Sequence, residues 1–275
     1  MKKLISLALA NVLMNVIPPV FAGAQGAISL ITPGLYMGVG GGWSLTEEDY
    51  HSTFRTNTGN GAIDHYNAAQ NRIIPMAQLG YWAPVHSDWL WGLAGQWLYA
   101  GYKTTNENSN LGQHIPNASF SSINIFGPDV IRDFSAQTKV TNEARVLLYA
   151  GQQLKQGYVY LGIGPAVLAV SNTMYVSSIH SAPNTNSDTL YSNSAKTNKT
   201  LWGGAAQVGY NYYINPSYFI NFSYTYTQTA KHQFDNSTNT ALFNGAMSAG
   251  PNLLSMNRRV SIAQQDVAIT INKVI

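Results

Sequence analysis

The chain has 275 residues, no cysteine, and a formal charge of +3 from 15 basic and 12 acidic residues. Disulfides and thiolate chemistry are thereby excluded, and bulk electrostatics gives no reason to recruit nucleic acid. Only 10% of residues are charged, against about 25% in an ordinary soluble domain, so much of the surface is expected to face something other than water.

The N-terminus carries Lys2 and Lys3, then the apolar run Leu4 to Val16, then the small residues Ala22, Gly23 and Ala24. This is the order of a secretory signal peptide, cleaved after Ala22 or Ala24. Residues 1–24 are read as the signal and 25–275 as one domain. Asn11, Asn15, Pro18 and Pro19 interrupt the run, which falls short of the roughly 20 residues a spanning helix needs. No later segment has the length and continuous apolarity of such a helix, so any membrane crossing must use strands.

Eight strand candidates follow. The first, about Gly34 to Leu45, sets Leu35, Met37, Val39 and Trp43 against Tyr36, Gly38, Gly40, Gly42 and Ser44. The second, about Asn71 to Ala83, puts Ile73, Ala77, Leu79 and Tyr81 on one face and Arg72, Met76, Gln78 and Gly80 on the other. After a short turn, the third (Asp88 to Lys103) opposes Trp89, Trp91, Leu93, Trp97 and Tyr99 to Gly92, Ala94, Gln96 and Ala100. The fourth, Lys139 to Gly151, opposes Val140, Ala144, Val146, Leu148 and Ala150 to Thr141, Glu143, Arg145 and Tyr149.

A turn near Gln153 to Gly157 leads to the fifth, where Val159, Leu161, Ile163, Val167 and Ala169 alternate with Tyr160, Gly162, Gly164 and Ala166. The sixth, Thr200 to Tyr213, opposes Trp202, Ala206, Val208, Tyr210 and Tyr212 to Gly203, Ala205, Gln207, Gly209 and Asn211. Asn215 and Pro216 make the next tight turn. The seventh, Tyr218 to Tyr226, alternates Tyr218, Ile220, Phe222, Tyr224 and Tyr226 with Asn221, Ser223 and Thr225, and the eighth closes on Val267, Ile269 and Ile271. Pro75 and Pro165 should each force a bulge or a strand end. The opposite phase of Val260 and Ile262 calls for a bulge near Gln264.

Alternate side chains of a strand point to opposite faces. Each of these strands therefore has a wall of rings and aliphatics and a wall of small, amide-bearing or charged residues. A soluble barrel hides the greasy wall; crowded polar interiors and lipid-facing rings are the reverse arrangement. Polar segments at about Thr46 to Gln70, Thr104 to Thr138, Ser171 to Lys199 and Gln228 to Arg258 alternate with the short turns. Short turns on one rim and long loops on the other predict an all-β, single eight-stranded antiparallel up-and-down transmembrane β-barrel, with short periplasmic turns and four long extracellular loops.

The first strand, Gly34-Leu-Tyr-Met-Gly-Val-Gly-Gly-Gly-Trp, the segment Tyr158-Val-Tyr-Leu-Gly-Ile-Gly-Pro and the terminal alternating strand resemble the small outer-membrane β-barrel superfamily of the OmpA transmembrane domain, OmpX and the opacity surface proteins. The resemblance implies a location in the outer membrane and assembly by the barrel assembly machinery. It also implies contact with outer-membrane lipid and lipopolysaccharide, and a role in envelope integrity or adhesion to host surface molecules. With the eighth strand ending the chain, no peptidoglycan-binding domain is expected.

Arg72, Glu143, Arg145 and Asp266 share the inward phase with Gln78, Gln96, Gln207, Asn211 and Asn221. An eight-stranded barrel is just wide enough for side chains to fill, so these groups should pair into a polar lumen network rather than line an ion path. Trp43, Trp82, Trp89, Tyr102, Trp202 and Tyr212 are read as interfacial anchors at headgroup depth. The six histidines show no metal-ligand spacing, and no catalytic residue or cofactor motif is evident. The adjacent pairs His86–Ser87 and His180–Ser181 keep a lipid-modifying hydrolase as an alternative, beside a small-solute porin and a soluble lipocalin-like barrel. The acceptor-type triplets at Asn117, Asn198, Asn221 and Asn236 are attributed to chance.

Overall fold

The computed structural model describes residues 34–56, 59–86, 88–109, 129–181, 188–240 and 252–275; the signal segment 1–24 lies outside them. The strands are β1 (Gly34–Thr56), β2 (Gly59–His86), β3 (Trp89–Ser109), β4 (Asp129–Leu154), β5 (Gly157–Ser181), β6 (Asp188–Asn215), β7 (Tyr218–Thr229), β8 (His232–Thr240) and β9 (Asn252–Val274). Each strand is antiparallel to its neighbours, and β9 pairs back with β1 to close the ring. The last residue helps the closure: the Ile275 N–H donates to the Leu35 carbonyl at 2.8 Å.

The ring has eight staves, because β7 and β8 are two halves of one. Both pair with β9, β7 over Tyr218↔Lys273 to Gln228↔Ala263 and β8 over His232↔Val260 to Thr240↔Asn252. At the break between them, side chains replace the ladder: the Ile262 N–H donates to Thr229 Oγ1 at 2.9 Å, and Gln228 Nε2 donates to the Ile262 carbonyl at 3.3 Å. Buried backbone groups need such partners. On the short-turn rim the Ser217 N–H donates to Asn215 Oδ1 at 2.9 Å, the side-chain-to-backbone bond that makes Asn a turn residue.

The structure moves several predicted boundaries. The strands continue well into the segments read as loops: β1 and β2 stay paired to Thr56↔Gly59, and β5 and β6 to Ser181↔Asp188. Among the described residues, the long rim is therefore built of paired ribbon. Polar composition concealed this, since a strand that has risen above the lipid no longer needs an apolar outward wall, although its inward face stays buried.

Neither proline makes a bulge. Pro75 pairs with Gly41 in unbroken register, and the ladder with β3 begins only at Met76↔Leu98. Above that point β2 pairs with β1 alone and β3 with β4 alone, so Pro75 sits where no donor toward β3 is required. Pro165 pairs with Gly204, while the ladder between β4 and β5 skips from Leu148↔Ile163 to Arg145↔Ala166 without changing register.

The bulge expected near Gln264 is also absent: β9 keeps one register with β1 throughout, and Val260 and Ile262 are buried in the same inward phase as Gln264 and Asp266. Their apolar character reflects an apolar layer inside the barrel, not a flip to lipid. The register shifts fall instead between Tyr50 and Ser52, Pro84 and His86, Tyr99 and Tyr102, Ile131 and Asp133, Val140 and Asn142, and Tyr213 and Asn215. Gly101, at φ 56°, supplies the left-handed residue that the third-strand bulge uses. The shift at Val140 reverses its predicted outward direction, and it is fully buried.

Candidate functional site

The lumen is filled in three tiers. Nearest the short turns, Trp82 stacks on Tyr149 with centroids 5.3 Å apart and meets Tyr158 and Tyr160 edge-on at 4.5 and 5.6 Å. Phe219 joins Tyr36 at 5.2 Å and Tyr213 at 5.1 Å. Inward glycines make room for these rings. A Cβ on Gly162 would stand 2.3 Å from the Tyr149 ring, and one on Gly92 would stand 2.7 Å from Trp82. Ring and glycine on adjacent staves thus form the large-against-small packing that a narrow barrel needs.

Amides and charges form the middle tier. Gln96 Nε2 donates to Tyr149 Oη and Gln207 Oε1, both at 3.1 Å, and Tyr149 donates to the same Gln207 oxygen at 2.6 Å. Gln78 Nε2 donates to Thr270 Oγ1 at 2.8 Å and Asn272 Oδ1 at 2.6 Å, and Asn221 Nδ2 to Tyr160 Oη and Asn211 Oδ1, both at 2.6 Å. Above them Arg145 pairs with Glu143 on its own strand and with Asp266 on β9. Thr227 donates to Glu143 at 2.9 Å, and Gln264 Nε2 to Asp266 at 3.0 Å. β4 and β9 are separated by β1, β2 and β3, which places them on opposite walls, so the Arg145 bridge crosses the full width of the lumen.

A third tier lies toward the long rim, where Val140, Leu168, Val170, Leu201, Phe234, Val260 and Ile262 pack together. Over it, Arg258 Nη2 meets Glu48 Oε1 at 3.0 Å, Tyr102 donates to Glu48 Oε2 at 3.2 Å, and the Arg258 guanidinium lies 3.8 Å from the Tyr50 ring centroid. Sequence reasoning missed Glu48 and Arg258 because it assigned their segments to loops. The signal was parity: Ser44, Thr46, Glu48, Tyr50 and Ser52 continue the inward phase of β1, and all five are buried.

Of the four charged residues assigned to the lumen, Glu143, Arg145 and Asp266 come together. Arg72 does not join them: it is half-buried where β2 and β3 part, with its guanidinium against Gly101. Among the proposed anchors, Trp43, Trp89, Trp202 and Tyr212 face outward, Trp43 and Trp202 with exposures of 60% and 62%. Trp82 and Tyr102 are corrections. They are 2% and 1% exposed inside the lumen, since each sits one position out of phase with the outward rings Tyr81 and Tyr99. Among the described residues no group of three His, Asp or Glu stands where it could hold a metal. The side chains of His86, Ser87, His180 and Ser181 lie outside the described residues.

The outer wall is the reverse of a soluble surface. Leu35, Val39, Ile73, Leu79, Leu161, Ile163, Ile269 and Ile271 are exposed along it. Exposed rings bound this band: Trp91 and Tyr99 on β3, Trp202 and Tyr212 on β6, and Tyr218 and Tyr226 on β7. At about 3.3 Å per residue these pairs lie roughly 26–33 Å apart along their strands. With strands tilted by about 40°, that becomes an apolar band of about 20–25 Å between two aromatic girdles.

A scan of family models and a comparison with curated protein sequences return no match. Among solved structures, the chain is similar to the outer membrane protein OprG from Pseudomonas aeruginosa at 13% identity and TM-score 0.44, over 89% of this chain and 98% of that one. It is also similar to the outer membrane protease OmpT from Escherichia coli at 11% identity and TM-score 0.34, over 92% and 100%. The attachment invasion locus protein Ail of Yersinia pestis follows at 10% and 0.27, over 85% and 99%. These values are too low to carry function, and the assignment rests on the geometry above. The closed ring, polar lumen and ring-bounded apolar exterior make the chain a transmembrane β-barrel with the fold of the small outer-membrane barrels.

Proposed function

We propose that this protein is a non-enzymatic, non-conducting barrel that contributes to envelope integrity. It is exported by the cleavable segment 1–24 and inserted by the barrel assembly machinery. The observation that carries this reading is the filled lumen, where an ion bridge spans the bore between an aromatic tier and an aliphatic tier. Water-filled porins leave such a bore open. The lumen thus favours a structural role over the solute-channel alternative. In planar bilayers the purified barrel is expected to give no large, stable, reproducible conductance; such channels would overturn the proposal. Loss of the protein from the cell should raise sensitivity to detergent.

The ribbons beyond the band support a second role, contact with host surface molecules. β1 and β2 stay paired as far as Thr56↔Gly59, and β5 and β6 as far as Ser181↔Asp188, a ribbon platform for polar residues. Shortening each hairpin separately while measuring cell adhesion and detergent sensitivity divides the two roles. Lost adhesion with an intact envelope selects contact, and the converse selects integrity.

A further inference from the structure

The outer wall carries a cluster of positive charge just above its upper aromatic girdle. Lys103 on β3 and Lys139 on β4 are direct ladder partners, and the same row continues through Ser171 on β5 to Asn198 on β6. Lys196 lies one outward position higher on β6, opposite Thr173. Lys103, Lys139 and Lys196 are all exposed. Like charges directly opposed on one face of a sheet repel, and among the described residues none of the three has a carboxylate partner. Lys199 differs: its Nζ donates to the Gln233 carbonyl at 2.6 Å and lies 5.7 Å from the Phe234 ring centroid.

The row borders an open groove of about 400 Å³, lined by Lys139, Ser171, Lys196, Asn198 and Thr200 among others and containing no carboxylate. Directly below lie Val167 and Trp202, which are ladder partners on the lipid-facing wall. Asn198 to Trp202 spans roughly 13 Å along a tilted strand at about 3.3 Å per residue. The Lys103–Lys139 row thus stands about 10 Å, and Lys196 about 15 Å, above the ring girdle, where the headgroups of the outward-facing leaflet lie.

We propose that Lys103, Lys139 and Lys196 form a binding site for the phosphate groups of a lipid in the outward-facing leaflet, whose acyl chains lie on the wall below. Two or more negative charges on one headgroup would relieve the Lys103–Lys139 repulsion, and the hydroxyl and amide groups of Ser171, Asn198 and Thr200 supply neutral hydrogen bonds beside them. The apolar wall continuous with the groove selects a lipid over a free anion, which would gain nothing from it. The inference rests on the membrane-barrel reading.

The test uses the full mature barrel in nanodiscs, with a bis-phosphorylated lipid A, the same lipid with its phosphates removed, and inorganic phosphate as competitor. Bound lipid per barrel is counted by native mass spectrometry. The wild-type barrel should retain the phosphorylated lipid over the dephosphorylated one by about tenfold or more. K103Q/K139Q/K196Q should lose that preference, and K155Q/K273Q, at the opposite rim, should keep it. Equal retention of the two lipids, an unchanged preference in the triple variant, or displacement by millimolar inorganic phosphate would overturn the proposal. Heat-modifiable gel migration of each variant reports the folded barrel separately. A wild-type chain that never enters the membrane would sink the barrel reading itself and not merely the site.

Discussion

Arg145 on β4 reaches across the bore to Asp266 on β9 while holding Glu143 on its own strand. All three side chains are withdrawn from solvent. Breaking a buried ion cluster by removing one member strands the remaining charges, whereas replacing the whole cluster with apolar groups can be neutral. R145L should therefore destabilise the barrel by about 3 kcal/mol, and E143L/R145L/D266L should recover most of that loss. Urea unfolding in detergent micelles, followed by tryptophan fluorescence, measures both. Equal losses in the single and triple variants would show that the residues contribute volume rather than charge pairing.

The upper pair gives an independent check. Arg258 is the cation beside Glu48, and Tyr102 donates to the same carboxylate. R258M should cost about 3 kcal/mol by leaving Glu48 buried without its cation. Y102F should cost about 1 kcal/mol for one hydrogen bond. These effects should add to those at Arg145 only if the aliphatic tier between them insulates the two sites, and the double variant R145L/R258M measures the coupling.

Gly162 lies against the face of Tyr149, where an added Cβ would stand 2.3 Å from the ring. G162A should destabilise by about 1–3 kcal/mol through overpacking. Shrinking the ring should relieve the clash, so G162A/Y149A is expected to be less destabilised than the sum of its single changes. The same unfolding titration reads this; simple additivity would mean that the ring moves aside without strain.

Ring closure, stave number and the inversion of inside and outside were legible because lipid imposes an alternation of large apolar groups on every spanning strand. Tyr218 to Tyr226 is the plainest case, and its burial alternates along the whole of β7. Legibility ended where that pressure ends. Above the upper girdle neither face meets hydrocarbon, so Glu48 and Arg258 looked like loop residues although β1 and β9 run straight through them. Trp82 and Tyr102 were misread for another reason: a ring near a strand end suits an interface or a crowded lumen equally, and only its parity against Tyr81 or Tyr99 separates the two. The bulge after Val140 depends on a single extra residue and leaves almost no trace in composition.

That parity argument can be measured directly, because three of the six tryptophans divide cleanly. Trp43 and Trp202 face outward, and Trp82 is enclosed by Tyr149, Tyr158 and Tyr160. Three single-tryptophan chains, with the other five changed to phenylalanine, can be refolded into vesicles containing lipids brominated on their acyl chains. Bromine quenches only rings that it can approach, so the Trp43 and Trp202 chains should lose a large share of their emission. The Trp82 chain should lose almost none, and soluble iodide should also leave it bright, since the aromatic tier excludes water. Strong quenching of Trp82 by the brominated lipid would place that ring on the outer wall and reverse the phase of β2. Protection of all three would mean that the exposed apolar wall does not meet lipid at all.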